Sequence, residues 1–127
     1  MGIDTLRDSD IMDNLLNALS EGKDIGHYGR LVFVMVGRHF LSEAEIVEQL
    51  QQDKDFTADE AKALYQQVSA QNYSPPSRDS ILEWQGQQDF PICPNPDDPD
   101  ACNLYQDLQF PSEVYESISE YYEEKAS

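Results

Sequence analysis

The sequence is poor in basic residues and in cysteine. Its 127 residues hold 8 Lys and Arg against 25 Asp and Glu, which gives a formal net charge of -17. Proteins that bind a phosphate backbone draw their affinity from Lys and Arg side chains that displace counterions, so this charge argues against nucleic-acid binding unless the few basic residues converge. We therefore expect the partner to be a protein with a basic surface, because opposite charge steers association.

Long hydrophobic runs and a basic leader are also absent. The longest apolar run, Leu31 to Val36, is far shorter than the roughly 20 residues that cross a bilayer. The start of the chain lacks the basic and apolar segments of a secretory signal. The sequence therefore predicts a cytoplasmic protein without a membrane partner, in which two cysteines are more often reduced thiols than a disulfide framework.

Motifs that carry enzymatic chemistry are missing as well. The sequence has no glycine-rich phosphate loop, no HExxH pair and no nucleophile spacing that matches a known mechanism. Asp97, Asp98 and Asp100 resemble half of a calcium loop, but the glycine and the glutamate that complete such a loop are absent. We predict that the protein is not an enzyme and that these aspartates form a solvated acidic loop, a candidate partner-binding surface.

The first half of the sequence contains a series of helix signals. Ser9 or Asp10 can cap a helix that Gly22 can end, because its apolar residues recur at helical spacing. The segments Ser42-Glu43-Ala44-Glu45 and Thr57-Ala58-Asp59-Glu60 are capping boxes, in which a serine or threonine and a glutamate three residues later satisfy the free N–H groups of a helix start. Each box predicts a helix.

The most apolar segment, residues 27–40, is hydrophobic on nearly every face, which is typical of a helix at the centre of a core. The sequence has no second strand-like run to pair with it. Prolines crowd residues 89–111, which predicts an ordered but irregular loop, and an acidic helix is expected over residues 112–125. The predicted fold is all-α: a single domain over residues 1–127 with five or six short helices.

Four side chains are candidates for contact with a ligand or partner. His27 and Arg30 open the apolar helix, where free N–H groups favour an anion, and Arg38 lies near its end. In the alternative interpretation His27 caps the helix and Arg30 pairs with one of the many acids. Trp84 is either a stacking surface for a partner or part of the core.

Cys93 and Cys102 lie in the proline-rich segment with eight residues between them. Two thiolates supply half of a four-ligand metal site, and His27 and His39 lie too far apart on one helix to complete it together. We expect a close pair of reduced, partly buried thiols or a facultative disulfide, without metal.

Several short motifs follow one another in order along residues 11–105. They are His27-x-x-Arg30, Phe40-Leu41-Ser42-Glu43-Ala44-Glu45-Ile46-Val47, Asp55-Phe56-Thr57, Tyr65-Gln66-Gln67-Val68, Tyr73-Ser74-Pro75-Pro76-Ser77, and Ile92-Cys93 leading to Cys102. In this order they resemble the C-terminal iron–sulfur domain of the large subunit of archaeal and eukaryotic DNA primase. The resemblance implies four cysteine ligands of a [4Fe–4S] cluster, and Cys93 and Cys102 match the last two.

The other two ligand positions that the resemblance implies do not hold cysteine. The position after Pro75-Pro76-Ser77 is Arg78, and the first-helix position falls near Met12 or Asp13. We therefore predict no cofactor and a clusterless, acidic protein-interaction module. The alternatives are an accessory module of nucleic-acid priming that retains a template or nucleotide contact or an Fe–S cluster, and an acidic mimic of DNA.

Overall fold

Helices and loops, without a strand, make up residues 2–53 and 55–115, which are the residues that the computed structural model describes. The helices are α1 (Gly2–Leu6), α2 (Asp10–Ser20), α3 (Gly26–Gly37), α4 (Glu43–Leu50), α5 (Ala58–Gln71), α6 (Arg78–Gln85) and α7 (Leu104–Asp107), and residues 112–115 are helical as well. The predicted all-α class is confirmed. The predicted number of helices is too low even for the described residues, because α1 and α7 are too short to show a helical period.

Serine and threonine side chains start α2, α4 and α5 where the sequence predicts them, and a serine also starts α6. Helix α3 instead begins after Ile25 without a side-chain cap, so His27 does not cap it. Ser9 caps α2 and Ser77 caps α6, each accepting a hydrogen bond from a backbone N–H of the first turn. Both capping boxes are complete, at Ser42 for α4 and at Thr57 for α5. The predicted helix over residues 112–125 is helical at its first four positions, and its positions beyond residue 115 lie outside the described residues.

Helix α3 lies at the centre of the fold and contacts α2, α4, α5 and α6. Every residue from Val32 to Gly37 is buried, as a helix that is apolar on all faces requires. Gly37 permits the close approach of α4, since a Cβ atom there would lie 2.7 Å from Cδ1 of Ile46. The buried α3 thus fixes the places of the helices that surround it.

The proline-rich segment 89–111 is ordered against the core as predicted, but it contains the short helix α7. Ile92 is fully buried, and Asn14 of α2 donates from Nδ2 to the carbonyls of Pro91 and Ile92 at 2.9 and 3.1 Å. These two hydrogen bonds tie the start of the segment to α2. The segment is therefore positioned by a helix that lies far from it in sequence.

Phe110 anchors the last described residues to the core. Its ring packs on Phe40, Tyr105 and His39, with centroid distances of 5.6, 5.3 and 5.8 Å. Its backbone N–H donates to the hydroxyl oxygen of Tyr115 at 3.0 Å. Aromatic pairs of this kind contribute about 0.5–1.5 kcal/mol beyond the area they bury. The chain after α7 is thereby folded back onto the turn that follows α3.

Candidate functional site

Cys93 and Cys102 are joined by a disulfide that closes a ring around the aspartates of the proline-rich segment. Their Cα atoms are 5.7 Å apart, and both residues are fully buried. The sequence predicts a close pair, either as free thiols or as a facultative disulfide; the structure has the disulfide, and both residues are fully rather than partly buried. Residues 93–102 are named the acidic loop.

Arg78, the first residue of α6, holds the acidic loop from within. Its Nε donates to the carbonyl of Ala101 at 3.0 Å, and its Nη2 donates to the carbonyls of Pro96 and Asp98 at 2.9 and 3.0 Å. A guanidinium is a planar fork of donors, so one side chain can join three backbone positions. Arg78 therefore connects both sides of the acidic loop to α6.

The two ends of the acidic loop are held by side chains of two different helices. Gln85 of α6 accepts the N–H of Cys93 at 2.7 Å through Oε1, and Asp10 of α2 accepts the N–H of Cys102 at 3.1 Å through Oδ2. Cys102 has a φ of 63°, a left-handed conformation that residues other than glycine seldom adopt. Such a conformation persists where the surroundings hold it, as the disulfide and Asp10 do here.

The three aspartates of the acidic loop are exposed to solvent. The backbone N–H of Asp100 donates to Oδ1 of Asp98 at 2.9 Å, which closes a tight turn within the loop. Asp97 precedes this turn and Pro99 lies inside it. The acidic loop therefore presents three carboxylates on a backbone that is fixed from inside by Arg78.

Trp84 lies near the other end of α6 and is half-buried. Its ring stacks on Tyr28 of α3, with centroids 5.6 Å apart and an interplanar angle of 15°. The hydroxyl of Tyr28 donates to Oε1 of Gln87 at 3.1 Å. Trp84 follows Arg78 by six residues, or about 9 Å along a helix axis, so α6 links the acidic loop to this aromatic stack.

Asp107 of α7 lies beside Asp10, the residue that holds Cys102. Burial raises the pKa of the Asp107 carboxyl above its ordinary value of 3.8, and the negative charge and side-chain hydrogen bond of Asp10 raise it further. The carboxyl groups of Asp10 and Asp107 thus lie close to each other. Ionisation of Asp107 costs free energy in the folded protein.

Arg30 is occupied by two carboxylates of its own chain. Its Nη2 lies 2.9 Å from Oδ1 of Asp24 and 2.9 Å from Oδ2 of Asp53. The side chains of Arg30 and Asp53 are only 17% and 4% exposed, and the guanidinium lies 4.4 Å from the centroid of the Phe56 ring. The charge of Arg30 is therefore already neutralised inside the protein, as the alternative interpretation of the sequence expects.

His27 and Arg38 lie at opposite ends of α3, about 16 Å apart along the helix axis. His27 is exposed, and its ring meets the ring of Tyr28 edge-on. Arg38 donates from Nη2 to Oδ1 of Asn72 at 2.9 Å and to the carbonyl of Tyr73 at 3.1 Å. The three basic candidates for ligand contact, His27, Arg30 and Arg38, therefore do not form one patch, because the length of α3 separates its two ends.

His39 is a half-buried titratable group next to Arg38. Its Nε2 is buried and has no hydrogen-bond partner among the described residues. Burial lowers the pKa of the imidazole below its ordinary value of 6.5, and the charge of Arg38 lowers it further, while Glu113 opposes both effects. The neutral imidazole packs edge-on against Phe110.

Three polar side chains that position the acidic loop escape sequence reasoning. Asp10 is visible from the sequence only as a candidate helix cap, and Asn14 and Gln85 carry no signal at all. The sequence does contain a signal for the role of Arg78, because Arg78 is the last Lys or Arg before residue 125 and so the basic residue nearest to the acidic segment. The run of acidic residues without Lys or Arg after residue 78 could therefore have predicted that Arg78 lies beside the acidic loop.

A four-cysteine iron–sulfur site, which the resemblance implies, does not fit these residues. Cys93 and Cys102 are bonded to each other, and Arg78 occupies the position that the resemblance implies for the second of the four ligands. Within residues 2–53 and 55–115, no group of three or more His, Cys, Asp and Glu side chains is arranged to hold a metal ion. That the protein works without a cofactor stays a prediction.

The chain matches no protein-family model, no curated protein and no solved structure. The resemblance to the primase large subunit therefore rests on the order of its short motifs. In the part of the chain that the structure describes, no helix has both the length and the apolar character needed to cross a membrane.

Proposed function

We propose that this chain is a non-catalytic, acidic helical module that binds a protein with a basic surface through the acidic loop and Trp84. The observation that carries the proposal is how the acidic loop is held: three exposed aspartates stand on a backbone fixed by a disulfide, by Arg78 and by helices at both ends. A surface that is ordered before binding loses less conformational entropy when a partner docks. This favours a specific contact over a diffuse acidic tail.

Charge and aromatic surface both support a basic partner. The net charge of -17 attracts cationic surfaces over a Debye length and raises their association rate. The half-buried Trp84, already stacked on Tyr28, offers a ring face or edge on which an arginine or lysine side chain can pack. Tryptophan is also enriched among the residues that dominate interface energies.

We further propose that the chain is a clusterless relative of the primase large-subunit domain. The support is the convergence of the positions that the resemblance implies as ligands. Cys93 and Cys102 are bonded to each other, Arg78 binds the backbone between them, and Cys102 is held by Asp10, just before the implied position in the first helix. In this proposal the disulfide and Arg78 hold the acidic loop in place instead of a cluster.

The nucleic-acid alternative has less support than the protein-binding one. Arg30 and Arg38, on which a template or nucleotide contact would depend, already bind acceptors of their own chain. We therefore expect no measurable binding of DNA or RNA at physiological salt, since one or two phosphate contacts would be opposed by the net charge. Micromolar binding of a primed single strand, weakened in Arg30→Ala, would favour the priming function instead.

The disulfide also bears on the predicted cytoplasmic location. Disulfides persist mainly in oxidising compartments, whereas cytosolic thiols are kept reduced. We retain the cytoplasm as a proposal, in which the Cys93–Cys102 bond is facultative. The proposed binding surface must then keep its shape without the bond.

The test is a fluorescence-anisotropy titration with a labelled peptide of alternating arginine and serine, at about 50 and about 150 mM salt. Two triple variants lose the same three charges. The loop variant carries Asp97→Asn, Asp98→Asn and Asp100→Asn, and the matched control carries Glu43→Gln, Glu48→Gln and Asp59→Asn. All six positions are exposed. Glu43 and Asp59 lie inside the two capping-box segments, but the side chains that close the boxes are those of Ser42 with Glu45 and of Thr57 with Glu60.

We expect the loop variant to weaken binding by about tenfold, because three exposed charge pairs contribute together about 1.4 kcal/mol. The matched control should change the Kd by about threefold at most, since it alters only the long-range field. Trp84→Ala should weaken binding in addition. Equal losses in the two triple variants would show that only net charge attracts the peptide, and the proposed site would be wrong.

A further inference from the structure

We propose that Arg78 is the positioning residue of the acidic loop, and that it keeps the three aspartates in place whether or not the Cys93–Cys102 disulfide is formed. The inference rests on the proposed function for its biological purpose, but its physical content concerns this chain alone. It assigns to Arg78 a role that makes the binding surface independent of the redox state of the compartment.

The contacts of Arg78 lie between the two cysteines and do not use their sulfur atoms. Nε and Nη2 together reach the carbonyls of Pro96, Asp98 and Ala101, all at 2.9–3.0 Å. These carbonyls span most of the ring that the disulfide closes, so the guanidinium bridges it from inside. Hydrogen bonds from a charged donor are about twice as strong as those between neutral groups.

The ends of the acidic loop are likewise held through backbone atoms. Gln85 binds the N–H of Cys93 and Asp10 binds the N–H of Cys102, and neither contact uses a sulfur atom. Asn14 adds two hydrogen bonds to the carbonyls of Pro91 and Ile92, just before the loop. Breaking the S–S bond therefore removes one fastening among several.

Reduction by a dithiol is a balanced exchange at this site. The two thiols of the reductant give up two electrons and two protons, the S–S bond between Cys93 and Cys102 breaks, and the reductant leaves as its own disulfide. The new thiol of Cys102 finds an acceptor at once, because Oδ2 of Asp10 lies 3.7 Å from its Sγ. The reduced state thus leaves that thiol with an acceptor.

Once the disulfide is open, Arg78 is the only side chain among these fastenings that joins carbonyls across the middle of the acidic loop. Asp10, Asn14 and Gln85 hold the ends, and the remaining hydrogen bonds inside the loop join only neighbouring positions: the N–H groups of Asp98, Ala101 and Asp100 donate to Asn95 and Asp98. These local turns do not tie the middle of the loop to a helix, so it is free to move as a whole. The reduced protein should then depend on Arg78 for the position of its aspartates. The oxidised protein should depend on it less.

The test is amide hydrogen exchange of Asp100 and Cys102, followed by NMR in the full chain, oxidised and with excess dithiothreitol. These amides donate to Oδ1 of Asp98 and Oδ2 of Asp10, so their exchange reports the order of the loop. The variants are Arg78→Gln, Arg78→Lys and, as a control that loses the same charge on an exposed part of α5, Lys62→Gln. Slow exchange in α3 serves as the check that each variant is folded.

We expect reduction of the unaltered chain to speed loop exchange by about threefold at most. Reduction of Arg78→Gln should speed it by about tenfold or more, because the hydrogen bonds from the charged guanidinium are then missing as well. Lys62→Gln should behave like the unaltered chain. Arg78→Lys keeps the charge without the fork, so it should restore only part of the protection. Full restoration by lysine would show that charge alone acts, and would overturn the positioning role.

Two other results would also overturn the inference. One is a tenfold loss of protection when the unaltered chain is reduced, which would make the disulfide the decisive fastening. The other is an unchanged loop in reduced Arg78→Gln. If Arg78→Gln loses the slow exchange of α3, Arg78→Lys takes its place. The double substitution Cys93→Ser/Cys102→Ser then replaces reduction, and the same criteria decide the question.

Peptide binding by the same samples separates this inference from the proposed function. If no sample binds the arginine–serine peptide while the exchange pattern is as expected, the proposed function fails and the role of Arg78 stands. If the peptide binds but exchange does not depend on Arg78, only this inference fails. If both hold, reduced Arg78→Gln should bind the peptide more weakly than the reduced, unaltered chain.

Discussion

Replacing Arg30 tests whether this arginine is structural or serves a ligand. Arg30→Met keeps most of the apolar length that packs on Phe56 but removes the guanidinium between Asp24 and Asp53. The carboxylate of Asp53, with its side chain 4% exposed, is then left buried without a cationic partner. Among the described residues, that carboxylate accepts one further hydrogen bond, from the N–H of Asp55 to Oδ1 at 3.0 Å.

The expected loss of unfolding free energy is about 3 kcal/mol. Removing one partner of a buried ion pair costs about 3–5 kcal/mol, and the partial exposure of Arg30 places this pair near the lower end. The ion pair to Asp24 adds little, because that carboxylate is 70% exposed. For a chain of this length such a loss lowers the Tm by about 10 °C.

Urea unfolding followed by circular dichroism measures this loss. Lys62→Met removes an exposed positive charge and should change the free energy of unfolding by about 0.5 kcal/mol at most. The double variant Arg30→Met/Asp53→Asn should regain part of the loss, because no unpaired charge stays buried. A loss below about 1 kcal/mol in Arg30→Met, or no regain in the double variant, would refute the structural role of Arg30.

Three further predictions concern titration and helix capping. The pKa of His39 in the folded chain lies below its ordinary value of 6.5 in the unfolded chain. His39 therefore adds stability above pH 6.5, and this stability is lost as the pH falls through 6.5 towards the folded pKa. His39→Gln should flatten this part of a Tm-against-pH curve. The pKa of Asp107 is raised in the folded chain, so its ionised form lowers stability above the folded pKa. Below the unfolded value of 3.8 the carboxyl is protonated and this cost is absent. Asp107→Asn should therefore raise the Tm at pH 7 and leave it nearly unchanged at pH 3. Thr57→Ala should cost about 1 kcal/mol in urea unfolding, because it removes the cap of α5, whereas Gln66→Ala, at an exposed position inside α5, should cost less. Equal losses would contradict the capping role.

Local features of this protein follow from the sequence by itself. The starts of α4 and α5 are correctly predicted because a capping box joins residues only three positions apart, at Ser42 and at Thr57. The central place of α3 is predicted because a helix that is apolar on all faces must be buried. The acidic, exposed character of residues 97–100 follows from their composition.

The site itself was decided by the tertiary structure. Arg78 reaches carbonyls 18–23 positions away, and Asp10 binds an N–H 92 positions away, so their partners depend on which elements pack together. The same dependence turned Arg30 from a candidate anion ligand into the partner of Asp53, 23 positions away. Helical geometry fixes the neighbours of a residue within about four positions, whereas a side chain's distant partners are fixed only when the core brings α2, α6 and the acidic loop together.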